Sequence, residues 1–277
     1  MELTKILFTL PVIFLLVACG SKGDSDAEKP PESAEKLYND ARAKVAAEKY
    51  KEAVKDFEEV ERQHPSSPLA VHAQIMSAYS SYEAEDYDAA ISTLERFVKL
   101  YPNNDTTPYA YYLIAVCYYE QISDVGRDQK ITEQALQALR EVVRRFPESD
   151  YARDAKIKLD LTLDHLAGKE MQVGRYYLKR DDTLAAINRF RFVVENYQTT
   201  SHTPEALHRL VEAYLKLGIT AEANKYAAVL GANFPNSAWY RDSYKLMTGK
   251  TVKTTEINSY ELDATEEKPS FWKRLIP

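Results

Sequence analysis

The sequence predicts an all-α fold, a superhelix of about five helix-turn-helix repeats with a disordered N-terminal tether and a disordered C-terminal tail. Two observations carry that expectation. A phrase of alanine, an aromatic or apolar residue four positions on, and proline eight further recurs in phase. It reads Ala53-Phe57-Pro65, Ala90-Leu94-Pro102, Ala135-Leu139-Pro147, Ala186-Phe190-Gln198 and Ala223-Ala227-Pro235. Glycine, which weakens helices, occurs only 8 times in 277 residues. A generic bundle has no reason to keep such a phase, whereas stacked units that bury their faces on each other must.

The first unit, 34–65, shows the logic. Ala41 and Ala53 fall where two paired helices approach closely, and Glu48 and Tyr50 mark the turn between them. Phe57 and Val60 continue the apolar face, and Pro65 is expected to stop the second helix. A unit near 34 residues closing on proline is the tetratricopeptide (TPR) pattern. The second unit, 71–102, places Ala78 at the close approach and starts its second helix near Tyr87. In the third, 108–147, Ala115 takes that position, and about eight extra residues, Ser123 to Lys130, lengthen the turn. The fourth, 151–198, follows a proline-free run from Asp150 to Arg180, in which Gly168 is expected to kink or break the helix. Gly174, Tyr177, Ala186 and Phe190 are in phase, but Asp181 and Gln198 replace the usual glycine and proline. The fifth spans 204–235, and a capping helix over 237–247 should cover it with Trp239 and Tyr240. From 248 to 277 the pattern is lost. That tail carries an apolar-basic cluster, Ser270 to Ile276, which docks on a partner, packs back on the solenoid or does nothing.

Residues 1–18 read as a secretory signal. Ile6 to Val17 is an apolar run of twelve, too short to span a bilayer, which needs about 20 residues. The run ends in Leu16-Val17-Ala18-Cys19, which resembles a bacterial lipobox. Cys19 would then carry a diacylglycerol and an N-acyl chain, which together anchor a chain stably. Gly20 is compatible with transport to the outer membrane. Residues 19–32 are rich in Ser, Asp, Lys, Glu and Pro and read as a flexible lipidated tether.

Composition and motifs exclude several functions. A net charge of −6 argues against a nucleic-acid partner. No nucleophile elbow, phosphate loop or zinc-binding signature is present, and the five histidines show no metal spacing. No catalytic or metal-binding residue and no cofactor is therefore expected, and the protein reads as a non-enzyme. Cys117, in an apolar helix, reads as a small buried hydrophobe. Binding is the remaining reading. The outward positions of the first helices carry Tyr38, Arg42, Ile75, Tyr79, Tyr82, Tyr109, Tyr112 and Tyr119, a stripe expected to form a groove for extended amphipathic peptide.

Taken together, the chain resembles the BamD (ComL/YfiO) family, TPR lipoproteins of the outer-membrane β-barrel assembly (BAM) machine. The resemblance rests on the lipobox Leu16 to Cys19, the five repeats, the junction Arg144 to Tyr151, and the blocks Val173 to Arg180 and Ala186 to Phe190. It implies a lipid anchor in the outer membrane, facing the periplasm. It also implies that the N-terminal repeats bind unfolded outer-membrane proteins and that the C-terminal repeats dock on the POTRA domains of a BamA-like barrel insertase. Other BAM lipoproteins are implied as partners. The insertase-binding pair falls on Asn188 and Arg189. A competing expectation is a different periplasmic TPR lipoprotein adaptor, acting in envelope maintenance or cell division.

Overall fold

The computed structural model describes residues 32–250. The signal, Cys19, most of the tether and the tail from 251 lie outside those residues. Among the described residues there are helices only, in the order α1 (Ala34–Ala46), α2 (Tyr50–Gln63), α3 (Pro68–Glu83), α4 (Tyr87–Leu100), α5 (Thr107–Glu120), α6 (Lys130–Arg145), α7 (Asp150–Lys179), α8 (Thr183–Asn196), α9 (Thr203–Lys216), α10 (Thr220–Asn233) and α11 (Ala238–Thr248). Each packs on the next, and odd-numbered helices also meet across repeats, α1 on α3, α3 on α5 and α5 on α7. The result is a TPR superhelix of five pairs, with α11 packed on α9 and α10 at the C-terminal end.

The small residues explain the pairing. Ala41, Ala53, Ala78, Ala90, Ala115, Ala135, Ala186 and Ala223 have no exposed surface. Their short side chains let neighbouring backbones close, and the rings of Phe57, Phe97 and Phe190 fill the space around them. At Gly174 even a methyl group would collide with the Phe190 ring, so the glycine there is a packing requirement.

Helix ends follow a shared rule that is not the proline rule. Each second helix ends on a ring-bearing residue: His64, Tyr101, Phe146, Tyr197 and Phe234. All five have φ between −126° and −134° with ψ between 41° and 59°. Gln198 follows Tyr197 where the others have proline, and α8 stops with the same geometry. Pro65 thus reinforces a stop that the extended ring residue already makes. Serine then caps three first helices and α11: Ser33, Ser67, Ser149 and Ser237 each accept a backbone N–H.

Within four pairs the turn passes through one left-handed residue: Glu48 (φ 58°), Glu85 (φ 59°), Asp181 (φ 72°) and Gly218 (φ 74°). Only the last is the glycine such a conformation favours. The third pair uses the longer loop 121–129 instead.

The expected break at Gly168 does not occur. Helix α7 runs through it unbroken for 30 residues. Its first half packs on α5 and α6 and its second on α8, so tertiary packing holds the glycine in a helix. The missing side chain has another use. A Cβ there would lie 3.1 Å from His202 Nε2, on the α8–α9 connection. Asp164, one turn earlier, accepts from Ser201 N (2.9 Å) and Ser201 Oγ (2.7 Å). From the other side, Lys169 Nζ donates to the Gly126 carbonyl in the inserted loop (3.0 Å). The middle of α7 therefore pins the connections on both sides of it. Cys117 is fully buried, and burial pushes its thiol up to about 12.

Candidate functional site

Two surfaces carry the expected site residues. The first is the face of α1, α3 and α5. Tyr38 on α1 is half-buried, its ring edge-on to Phe57 at 5.5 Å. Arg42, one turn later, is also half-buried. On α3, Tyr79 and Tyr82 are half-buried, with Tyr82 5.9 Å from the Tyr87 ring. Burial raises the Tyr79 hydroxyl above its ordinary range, helped by a hydrogen bond to Glu83. Burial likewise takes Tyr82 to about 12.

On α5 the tyrosines bind the next repeat. Tyr112 donates to Asp154 Oδ2 at 2.5 Å, and its ring lies 5.4 Å from Tyr151, both on α7. Lys158 Nζ sits 5.4 Å from the Tyr119 ring and 3.0 Å from Asp154 Oδ2. Tyr109 is only 6% exposed and packs on Tyr151 at 5.6 Å. Ile75 is 7% exposed.

These positions correct the expected stripe. Ile75 and Tyr109 do not line a groove; they belong to the core between repeats. First helices of adjacent repeats come close enough to swallow those side chains, and Tyr151 closes over Tyr109. Tyr38, Arg42, Tyr79, Tyr82, Tyr112 and Tyr119 keep partial exposure on the same face. What remains is a row of tyrosine edges, half mortar between helices and half surface.

The second surface is α8. Asn188 and Arg189 are both exposed there. Arg189 Nη1 lies 3.1 Å from Glu170 Oε2 on α7, and Asn188 Oδ1 accepts from Arg191 at 3.2 Å. Both line a hollow of about 230 Å³ with Tyr177, Ala185 and Phe192. Sequence reasoning missed its apolar part. Leu184 is 66% exposed and Phe192 43%. With Asn188 they fall at i, i+4 and i+8, one stripe along the helix. The available signal was phase, since both lie off the buried Ala186-Phe190-Val193 face. Also missed was a larger cleft between α4 and α6.

Among the described residues, no cluster of three or more His, Cys, Asp or Glu side chains could hold a metal ion. No described helix is long and apolar enough to cross a membrane.

With this geometry in place, the comparison with known proteins is decisive. Residues 30–230 match the YfiO family, described as outer membrane lipoprotein. The chain belongs to the YfiO family. It is similar to the outer membrane protein assembly factor BamD of Caulobacter vibrioides, 50% identical over 245 residues, covering 86% of this chain and 80% of that one. The protein of the same name from Rickettsia prowazekii is 46% identical over 248 residues, covering 89% of this chain and 98% of the relative. That from Neisseria meningitidis serogroup A is 36% identical over 256 residues, covering 86% and 96%. The alignments to these YfiO-family relatives take in most of the solenoid, and with it both surfaces.

Proposed function

We propose that this protein is a non-enzymatic component of the outer-membrane protein assembly (BAM) complex, a scaffold that holds unfolded outer-membrane proteins beside a barrel insertase. The similarity to proteins named assembly factor BamD, over nearly the whole solenoid, is the observation that carries this reading. The surfaces divide the work. The half-exposed face of Tyr38, Arg42, Tyr79, Tyr82, Tyr112 and Tyr119 takes extended segments of substrate, because tyrosine offers contact area with a polar handle. The α8 stripe takes the insertase. Arg189 presents a guanidinium suited to a partner carboxylate, and Leu184 and Phe192 supply apolar contact beside it. Glu170 holds Arg189 in place until a partner carboxylate competes for it.

Acyl chains on Cys19 tether the assembly to the outer membrane, and the tether lets the solenoid face the periplasm. The chemistry asked of the protein is binding, which needs no cofactor beyond that lipid.

The test is a pull-down of the full chain from detergent-solubilised membranes, with Arg189→Glu alongside. Recovery of the barrel insertase with the wild type and its loss with the reversed charge is the expected result. Recovery with both variants moves the dock away from α8. Recovery with neither overturns the assembly reading.

A further inference from the structure

The repeat phase lets the inter-repeat seams be compared position by position. Between the first and second repeats, Glu61 on α2 faces Arg96 on α4. Arg96 Nη2 donates to Glu61 Oε2 at 3.0 Å, and buried Gln74 on α3 donates to Glu61 Oε1 at 2.6 Å. This polar cluster fills the seam. One repeat later, the same three positions hold Val98, Glu141 and Tyr111. Nothing bridges Val98 and Glu141, and a cleft of about 730 Å³ opens between α4 and α6 over the floor of α5. Val98, Tyr111, Ile114, Tyr118 and Ala138 give it an apolar lining, and its walls carry the carboxylates of Glu95, Glu133 and Glu141 together with Lys99 and Lys130. Its size is that of a pocket for a ligand of several rings, roughly 300–1,000 Å³.

We propose that this cleft holds the chain's own segment Phe271–Ile276. Phe271, Trp272, Leu275 and Ile276 fall at i, i+1, i+4 and i+5, which is one face of a helical turn. Lys273 and Arg274 fall on the other side, placed for the wall carboxylates of Glu95 and Glu133. An aromatic anchor in an apolar groove with charges at its edge is a recurring mode of peptide recognition. Reach allows it. From α6, packed neighbours lead through α7, α8 and α9 to α11, four steps. At about 10 Å each the sideways steps sum to about 40 Å, and passing from the first half of α7 to its second adds about 22 Å. The 21 residues 250–270 extend to about 70 Å. A tethered segment also meets its site at an effective concentration of roughly millimolar, so modest affinity suffices. In the seam between repeats one and two the corresponding positions are taken by the bonded Glu61, Gln74 and Arg96.

The test uses the full chain in detergent, labelled with 5-fluorotryptophan. Its two tryptophans, Trp239 and Trp272, give two ¹⁹F resonances, assigned with Trp272→Phe. The expected result is a Trp272 resonance shifted from that of a free 263–277 peptide and broadened several-fold less by a soluble paramagnetic agent. Val98→Glu, which puts a carboxylate on the apolar lining, should return it to the peptide's position and accessibility with helicity unchanged. Ala138→Trp, which fills the cleft from the opposite wall, should do the same, and so covers a failure of Val98→Glu to fold. Accessibility equal to the peptide's in the wild type overturns the proposal. So does shielding that survives both cleft variants, which would place Trp272 in the micelle or elsewhere on the solenoid. Shielding that grows with protein concentration assigns the segment to a second copy and overturns docking within one chain.

Discussion

Two seams on either side of α4 are built from the same positions and solve the same problem in opposite ways. The first repeat meets the second through Glu61, Arg96 and Gln74. The second meets the third through a floor of Ile114 and Tyr111, with no bridge above it. Second helices of neighbouring repeats are not in extended contact, so every seam leaves a gap between them. Side chains decide whether that gap is filled or presented. In this solenoid a repeat can therefore gain a binding surface without any change in backbone, by exchanging an ion pair for apolar residues.

The largest expected effect tests whether the open seam is a true surface. Leu113 and Ile114 are sequence neighbours of equal size on α5. Leu113 is 1% exposed inside the core, while Ile114 sits in the cleft floor. Leu113→Ala should lower stability by about 3–4 kcal/mol, as for a sealed core site that cannot collapse. Ile114→Ala should cost about 2 kcal/mol, because water can enter the space it leaves. Urea unfolding of both variants measures the difference. Equal losses would mean that the cleft floor behaves as core.

A smaller effect tests the closed seam. Glu61→Ala leaves the amide of Gln74 buried without its acceptor and frees Arg96. The Gln74 amide is the larger part, since Arg96 is half exposed and its ion pair is screened. A loss of about 1–2 kcal/mol is expected, with Glu61→Gln recovering most of it by keeping the acceptor oxygen. Hydrogen exchange should quicken in α2 and α4 but not in α6. Faster exchange in α6 would show that the two seams are not independent.

How far the sequence reveals this contrast depends on the range of the interactions. Phase was legible because Ala53, Phe57 and their equivalents act within one helix pair, at fixed spacing. Partners across a seam were not: Glu61 and Arg96 are 35 residues apart, and only the stacked structure brings them together. The same limit explains the tyrosine stripe. Position within a repeat put Tyr109 on the outer face, but its burial is decided by Tyr151 on the next first helix. Gly168 looked like a breaker because helix propensity is local, while α7 is held along its length by three other helices. Leu184 and Phe192 were within reach of sequence reasoning, since they are large apolar residues out of phase with the core.

A change in the turn before α4 should leave both seams alone. Helix α4 is a wall of each, and Glu85 turns the chain into it with φ 59°. The left-handed conformation costs an ordinary residue about 1–2 kcal/mol. Glycine avoids that, at an entropic cost of roughly 0.5–1 kcal/mol. Glu85→Gly should thus raise stability by about 0.5–1 kcal/mol, seen as a higher melting temperature, with unchanged exchange ratios between α2, α4 and α6. A change in those ratios would mean that the turn, rather than the seam side chains, sets the spacing of the repeats.

The smallest effect concerns the glutamate that replaces Arg96 at the open seam. Glu141 bonds within its own helix. It accepts from Arg144 at 2.6 Å and from Arg145, and these two bonds, Arg144's the larger influence, hold its carboxyl at about 2 against an ordinary 4.5. A depressed carboxyl stabilises the fold fully above the unfolded value and loses that contribution as pH falls from about 4.5 towards 2. The pair is largely solvated, so the stability at stake is small. Its location is what discriminates. Glu61 ties two repeats together, whereas Glu141 ties the last turn of α6 to itself. Titration of the Glu141 side-chain carbon by NMR should give a midpoint near 2, and protonation should speed exchange only at the C-terminal turn of α6. A midpoint near 4.5 would remove the arginine clamp. Faster exchange in α4 on protonation would show that Glu141 bridges the cleft after all, and the two seams would then differ in degree rather than in kind.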